Sequence, residues 1–316
     1  MKDTPETLDH DQLRRQLTTM VEQTHGLSYN GASKRMQDVS RATLSQWLNG
    51  RYTGDSNRVA SEVASFLENQ DEAAGVKALV TAAPTFQRTQ TAERIWTLLI
   101  SAQFTPSIVV VAGAPGVGKT MTAAAYKAAQ PNVWHATMDP TVVSPTQVLQ
   151  EIALVIGERI GSPTTLRNRI GERMIDSGGL LIIDEAQHCS PKALDLLRAL
   201  YDRYKVGIAL IGNYGLFAAT SAPNRTHSFA QFFRRVQRRA KFEEPSKADI
   251  NMLLDELRVN DADDRAFLHT IGQKMWGLSG VVNTLNLATQ IAYGSKSPMT
   301  LDHLRQAWAS LNHFEG

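Results

Sequence analysis

The chain is nearly without cysteine. Cys189 stands alone among 316 residues, so no disulfide can close within the chain, and a reducing compartment is expected. Neither sign of charge dominates. Lys and Arg number 33 against 31 Asp and Glu, a net charge of +2. A bulk preference for polyanions is therefore excluded, and any nucleic-acid contact must rest on local basic clusters. No apolar run approaches the roughly 20 residues of a membrane-spanning helix. The first fifteen residues are polar and charged, so no signal peptide is expected, and a cytoplasmic location is. Internal repeats and low-complexity tracts are absent. The length suits two or three domains.

One stretch stands out against these absences. Val109-Val110-Val111-Ala112 runs into Gly113-Ala114-Pro115-Gly116-Val117-Gly118-Lys119-Thr120. This reads as a buried parallel strand, a tight loop and the start of a helix, framed as G-x-x-x-x-G-K-T. Glycines let backbone N–H groups turn inward and approach a phosphate closely. The helix that begins near Lys119 adds its positive end. Lys119 reaches the outer phosphates, and the Thr120 hydroxyl takes a place on Mg²⁺.

A second apolar run, Gly179-Leu-Leu-Ile-Ile-Asp184-Glu185, reads as a parallel strand that delivers two acids to the ligand-binding edge of a sheet. Asp184 is expected in the Mg²⁺ shell, and Glu185 is expected to polarise the water that attacks the γ-phosphate. A third, Gly207-Ile-Ala-Leu-Ile-Gly212-Asn213, ends in an amide placed to sense that phosphate; asparagine is also a common turn residue. Phe229 to Arg239 interleaves apolar residues with Arg234, Arg235, Arg238 and Arg239. Three uses are open for it: nucleic-acid contact, a solvated helix face, or an arginine finger reaching a neighbouring subunit. His188 and Cys189 lack a second ligand pair at metal spacing, so zinc is not expected.

Residues 1–70 read as a small helical domain. Leu13, Leu17, Val21 and Leu27 keep helical spacing, and two short helices follow, with Ala32, Met36, Val39, Leu44, Trp47 and Leu48 facing inward. Ser40 suits the N-cap of the second and Gly50 its end. The pattern resembles a helix-turn-helix with residues 41–48 as recognition helix, leaving Arg41, Thr43, Ser45 and Gln46 outward. Lys34, Arg35 and Arg58 are candidates for phosphates. A last helix, Val59 to Leu67, precedes a linker at 71–90. An α/β core is expected over 91–243 and a helical lid over 244–316.

Gly113 to Thr120, Leu180 to His188 (LLIIDEAQH) and Ile211-Gly212-Asn213 resemble, in this order, the Walker A, Walker B and sensor-1 motifs of AAA+ P-loop ATPases, in which a parallel sheet is flanked by helices. The whole layout, with the helix-turn-helix in front, is similar to the Mu B family, the transposition target-capture class of AAA+ ATPases. Ile95-Trp96-Thr97, Asn132-Val133-Trp134, Asn224-Arg225-Thr226 and the stretch from Tyr52 to Val59 carry the closer likeness.

The resemblance implies ATP and Mg²⁺ as cofactors. It implies assembly as filaments or rings on double-stranded DNA with little sequence preference, delivery of that DNA to a DDE-type transposase, and mutual stimulation of the two proteins. Carried over, the nucleotide contacts are Gly113, Pro115, Gly116, Val117, Gly118, Lys119, Thr120, Met121 and Asp184. Glu185 activates water, Asn213 senses the γ-phosphate, and Arg235 is the finger in trans, with Arg234, Arg238 and Arg239 as neighbours able to fill that role. Many AAA+ lids supply an arginine after a glycine such as Gly280; here Val281-Val282-Asn283 stands instead, so either Asn283 does a weaker version of that task or the lid does not sense nucleotide through this residue. For subunits wound on DNA, Arg167, Arg169, Arg173 and Arg225 are candidates for the inner face, with salt-dependent binding through phosphates. An AAA+ helicase loader or replication initiator is the alternative, and a repressor-like DNA binder a third.

Overall fold

The computed structural model describes residues 9–24, 26–79, 86–216, 232, 234–274 and 276–312. The chain divides into two units, Met1–Thr81 and Ala82–Gly316.

In the first unit, α1 (His10–Gln23) begins at Asp9, whose carboxylate accepts the N–H groups of Asp11 and Gln12. Helix α2 (Tyr29–Ser33) begins at Ser28 and α3 (Arg41–Leu48) at Ser40, each hydroxyl satisfying a backbone donor that the helix leaves open. Gly50 follows α3 with φ at +66°, a conformation that a side chain disfavours. Leu17, Ala32, Met36, Val39, Leu44, Trp47, Val59 and Val63 form one buried core with Phe66. The last helix, α4, spans Ser56–Leu79. It overruns the expected end at Leu67 and takes in residues 71–79 of the expected linker. The reason is local: Asp71-Glu-Ala-Ala-Gly-Val-Lys-Ala-Leu79 is rich in good helix formers, and no proline interrupts the chain from there until residue 84.

The second unit is built on a five-stranded sheet of order β2-β3-β4-β1-β5, with every pairing parallel. The strands are β1 (Ile108–Gly113), β2 (Val133–Thr137), β3 (Leu180–Asp184), β4 (Gly207–Gly212) and β5 (Val236–Phe242). Their aliphatic runs are continuous because both faces are covered. Val110, Ile183 and Leu210 face one core, together with residues of α7 (Pro145–Ile156), α8 (Pro163–Met174) and α9 (Pro191–Tyr204). Val111, Ile182 and Ile211 face the other, against α5 (Gln90–Phe104) and α6 (Lys119–Ala129). Helix α7 stops before Gly157, at φ +85°, a left-handed conformation that closes a helix.

Strand β5 was not foreseen as a strand. Gln237, Arg238, Arg239 and Lys241 are exposed along it, and a charged sheet edge carries no apolar alternation to read. Beyond it, α10 (Lys247–Glu256), α11 (Ala262–Gly272), α12 (Gly277–Gly294) and α13 (Leu301–Asn312) form the helical lid. Ile250, Leu254, Leu268, Ile271, Val281 and Leu304 make its core.

Candidate functional site

Strand β1 ends at Gly113, and the loop that follows reaches α6 at Lys119. Gly116 and Gly118 hold φ at +74° and +91°, values that fold the backbone inward to cradle an anion. Val117 is buried and anchors the loop to the core below. The Lys119 ammonium donates to the carbonyls of Gly113 (2.9 Å) and Ala114 (2.8 Å). Burial pushes its pKa below the usual range, and the charges of Glu185 and Asp184 act the other way. An ammonium held on two neutral carbonyls in a half-desolvated loop gains strongly from an incoming phosphate.

Asp184 closes β3 and is almost fully buried. Burial alone would raise its pKa. Hydrogen bonds from His135, from the Thr120 hydroxyl and from the Glu185 N–H, with the nearby His135 charge, hold it below the usual value instead. The Glu185 N–H lies 2.9 Å from its Oδ1, and His135 Nε2 lies 3.4 Å from its Oδ2. Thr120 and Asp184, expected to share one Mg²⁺, are thus already side by side. His135, the one ring nitrogen at this carboxylate, escaped the sequence reading; its only signal was a lone polar residue inside the strand Val133–Thr137.

Glu185 takes a left-handed turn, φ +54°, into a short 3-10 turn, Ala186–His188. That turn brings the Gln187 amide back onto the Glu185 carboxylate, to which it donates. The Gln187 carbonyl oxygen accepts the Asn213 N–H at 3.1 Å. Asn213 follows β4 at the same sheet edge, but its side-chain oxygen accepts the Gly215 N–H at 2.8 Å. The amide is therefore committed to its own turn in this state.

The lid touches the loop through backbone. The Leu278 N–H donates to the Gly116 carbonyl at 2.9 Å. A Cβ on Gly116 would strike the Trp276 carbonyl, and one on Gly277 would lie 2.9 Å from the Gly116 carbonyl carbon and oxygen. Beside this contact, Phe86, Ala92, Met121, Leu253, Leu278 and Val282, with Thr89 and Asn283, line a cavity of about 240 Å³. Met121 is half exposed there. An apolar slot with a few polar groups, opening on a phosphate loop, suits a nucleotide base. Pro115 belongs to the loop between β1 and α6 and does not line the cavity.

A second tie joins lid to core. The buried Asp249 carboxylate accepts the Thr91 N–H (3.1 Å), the Thr91 hydroxyl (2.8 Å) and the Ser246 N–H (2.9 Å). At the far edge, the Ala114 N–H donates to the Phe242 carbonyl at 3.0 Å, fixing the loop to the end of β5.

The basic residues separate. Arg235 precedes β5 and donates to Asp202 of α9 at 2.7 Å, within its own chain. Arg234 and Arg238 are exposed, and Arg238 and Arg239 lie on the edge strand, so the solvated helix face is replaced by a strand edge. Arg169 and Arg173 are exposed on α8, four residues apart and on one face. Arg167 is half-buried with its Nε enclosed, so the three do not form one patch. On α3, Arg41 and Gln46 are exposed, whereas the Thr43 hydroxyl is engaged with Ser40 Oγ at 2.9 Å. Arg225, with Asn224 and Thr226, lies outside the described residues. Among the described residues, no cluster of His, Cys, Asp and Glu forms a metal cage, and no helix is long and apolar enough to cross a membrane.

Comparison with known proteins agrees with this geometry. An AAA domain family model matches residues 102–220, the stretch holding the loop, Asp184 and Asn213. The model for the C-terminal part of the Mu B transposition protein matches residues 234–311. The chain is 34% identical over 278 residues to the ATP-dependent target DNA activator B of Escherichia phage Mu, covering 87% of each chain. It belongs to the Mu B family. A further member, the Mu-like prophage FluMu DNA transposition protein B of Haemophilus influenzae, is 31% identical over 218 residues, 68% of this chain and 75% of that one. Among solved structures, the Aeropyrum pernix ORC1 protein in complex with DNA matches with a TM-score of 0.55 at 18% identity, covering 74% of this chain and 69% of that one. That likeness establishes the fold alone. Family and fold make the chain a P-loop ATPase of the AAA class, as its motif order leads one to expect.

Proposed function

We propose that this Mu B family member is an ATP-dependent DNA-binding protein of transposition. It assembles on DNA with little regard to sequence, delivers that DNA to a DDE-type transposase and stimulates it, and ATP hydrolysis drives disassembly. The observation that carries the reading is the meeting of Lys119, Thr120, Asp184 and Glu185 at one sheet edge. The name of the phage Mu relative, an ATP-dependent target DNA activator, supports placing that ATPase in transposition.

Lys119 and the N–H groups from Gly116 to Thr120 hold the phosphates, and the lid cavity takes the base. The donor set fits Mg²⁺, since a hydroxyl and a carboxylate with a depressed pKa are hard oxygen ligands. When bound, Mg²⁺ neutralises charge on the β- and γ-phosphates. Glu185 orients the attacking water and accepts its proton. Once freed from its turn, the Asn213 amide steadies that water. Arg235 leaves Asp202 and completes the neighbouring subunit's site; Arg234, Arg238 and Arg239 are the other residues able to do so. Asn283, on the cavity wall, is the lid's polar contact for the nucleotide. Arg41 and Gln46 in the first unit and Arg169 and Arg173 in the second are phosphate contacts, with Thr43, Arg167 and Arg225 as the other candidates.

The test is co-sedimentation with arbitrary duplex DNA in ATP, in ADP and without nucleotide. ATP alone is expected to give large assemblies, kept by Glu185→Gln and lost in Lys119→Ala. Equal DNA binding in all three conditions, without assembly, would overturn the reading.

A further inference from the structure

Between Glu185 and Asn213 stands a side chain with no part in the reading above. Gln187 is half-buried in the 3-10 turn that follows β3. Its amide makes two bonds of opposite sense, Nε2 donating to Glu185 Oε2 and Oε1 accepting the Asn213 N–H at 3.1 Å, beside a longer contact of Nε2 with His188 Nε2 at 3.5 Å. Its neighbours fix which way the amide faces. A carboxylate only accepts and a backbone N–H only donates, so a flipped amide would lose both bonds. The site is also shaped for this side chain. A Cβ on Gly212 would strike Gln187 Oε1, so the glycine that ends β4 leaves the room in which the amide lies. The turn is pinned in turn: the His188 N–H donates to the Glu185 carbonyl at 3.0 Å and the Cys189 N–H to the Ala186 carbonyl at 3.1 Å.

We propose that Gln187 is a positioning residue for ATP hydrolysis, a single amide that ties the Glu185 carboxylate to the backbone at the end of β4. The inference rests on Glu185 being the carboxylate that orients water. Without Gln187, that carboxylate has no protein donor among its described side-chain hydrogen bonds and swings about its own rotamers. With it, the carboxylate moves only as the Gly212–Asn213 backbone moves. A γ-phosphate that draws Asn213 out of its turn would therefore shift the carboxylate in the same step. Hydrolysis becomes conditional on the strand end, although the two residues follow different strands.

The test measures steady-state ATP turnover of the full chain with duplex DNA, in Glu185→Gln, Gln187→Met, Gln187→Glu and Glu185→Gln/Gln187→Met. Gln187→Met keeps length and removes both bonds; Gln187→Glu keeps the acceptor for Asn213 and removes the donor. Misplacing a reacting group by about 1 Å costs on the order of a hundredfold. Both single Gln187 variants are therefore expected to lose roughly ten- to a hundredfold in kcat with KM for ATP little changed, which is the pattern of an interaction made in the transition state. In the Glu185→Gln background, Gln187→Met is expected to add almost nothing, since the two act as a unit. A merely structural Gln187 would raise KM and add its loss in both backgrounds, and that result overturns the proposal. So does full turnover in Gln187→Glu. If Glu185→Gln itself keeps parental turnover, the reading of Glu185 fails first, and the proposal falls with it for that separate reason.

Discussion

At the strand end of the phosphate loop, the Thr120 hydroxyl, the His135 ring and the Glu185 N–H meet on the Asp184 carboxylate; at the lid, Gly116 meets Trp276 and Gly277 through bare backbone. The two sides serve one loop by different physics. The strand side needs particular functional groups, because a metal shell and a water-orienting base are defined by their chemistry. The lid side needs an absence of side chain, because two backbones approach more closely than a Cβ allows. Function on the first side should be lost by changing a group, and on the second by adding a methyl.

The largest effect is expected on the strand side. Lys119→Ala removes the only ammonium in the loop between β1 and α6, and nucleotide binding and turnover should both fall by at least about a hundredfold. Glu185→Gln should cost about as much in turnover and leave ATP binding intact. Titration with a fluorescent nucleotide, beside phosphate release, distinguishes the two variants.

The lid side comes next. Gly277 sits at φ +52° against the Gly116 backbone. Gly277→Ala adds backbone strain of about 1–3 kcal/mol and forces the lid off the loop. A loss in nucleotide affinity of about tenfold or more is expected, since 1.4 kcal/mol is one decade, with turnover at saturating ATP held near the parental rate.

Asp249 sharpens the comparison, because it ties lid to core by charge rather than by shape. Burial would raise its pKa, yet hydrogen bonds from Thr91 and Ser246 hold it below the usual 3.8. A carboxylate depressed on folding stabilises the native state above its unfolded pKa, and that contribution fades as the pH falls through the depressed value. Asp249→Ala should therefore lower stability at neutral pH by about 1–3 kcal/mol, the scale for leaving buried hydrogen-bond donors unpaired. The deficit should shrink in denaturant titrations run below about pH 3.8.

Smaller effects are expected at the margins. Arg235 and Asp202 form a partly exposed pair, worth about 1 kcal/mol or less, so Arg235→Ala should leave the isolated chain folded. If Arg235 serves a neighbour, the same variant loses DNA-stimulated turnover. Cys189 is buried, and its thiol is pushed up to about 12, so a thiol reagent should label it only as fast as the core opens.

The same contrast accounts for what could be read in advance. The loop, Asp184, Glu185 and the aliphatic strands behind them were legible because each combines a chemical requirement with a strand period. A helical lid over 244–316 was legible, whereas the capping box of Ser246 with Asp249 came only with the structure. Asp249 as a tie to Thr91 was not legible, since its partner lies 158 residues away. Gly277 was silent because a glycine shows where a side chain is barred but not what bars it. Gln187 was read only as part of a motif string, because its two partners converge through the fold. Arg238 and Arg239 were misplaced for a different reason: charge on an edge strand hides the strand.

The most direct test of the two-sided account is to measure nucleotide affinity and saturated turnover separately for Glu185→Gln and Gly277→Ala, in the full chain with duplex DNA. The account predicts that Glu185→Gln keeps affinity and loses turnover, while Gly277→Ala loses affinity and keeps turnover. If both variants fail in both quantities, or if Gly277→Ala binds ATP as the parent does, the lid does not hold the nucleotide through its backbone contact with the loop.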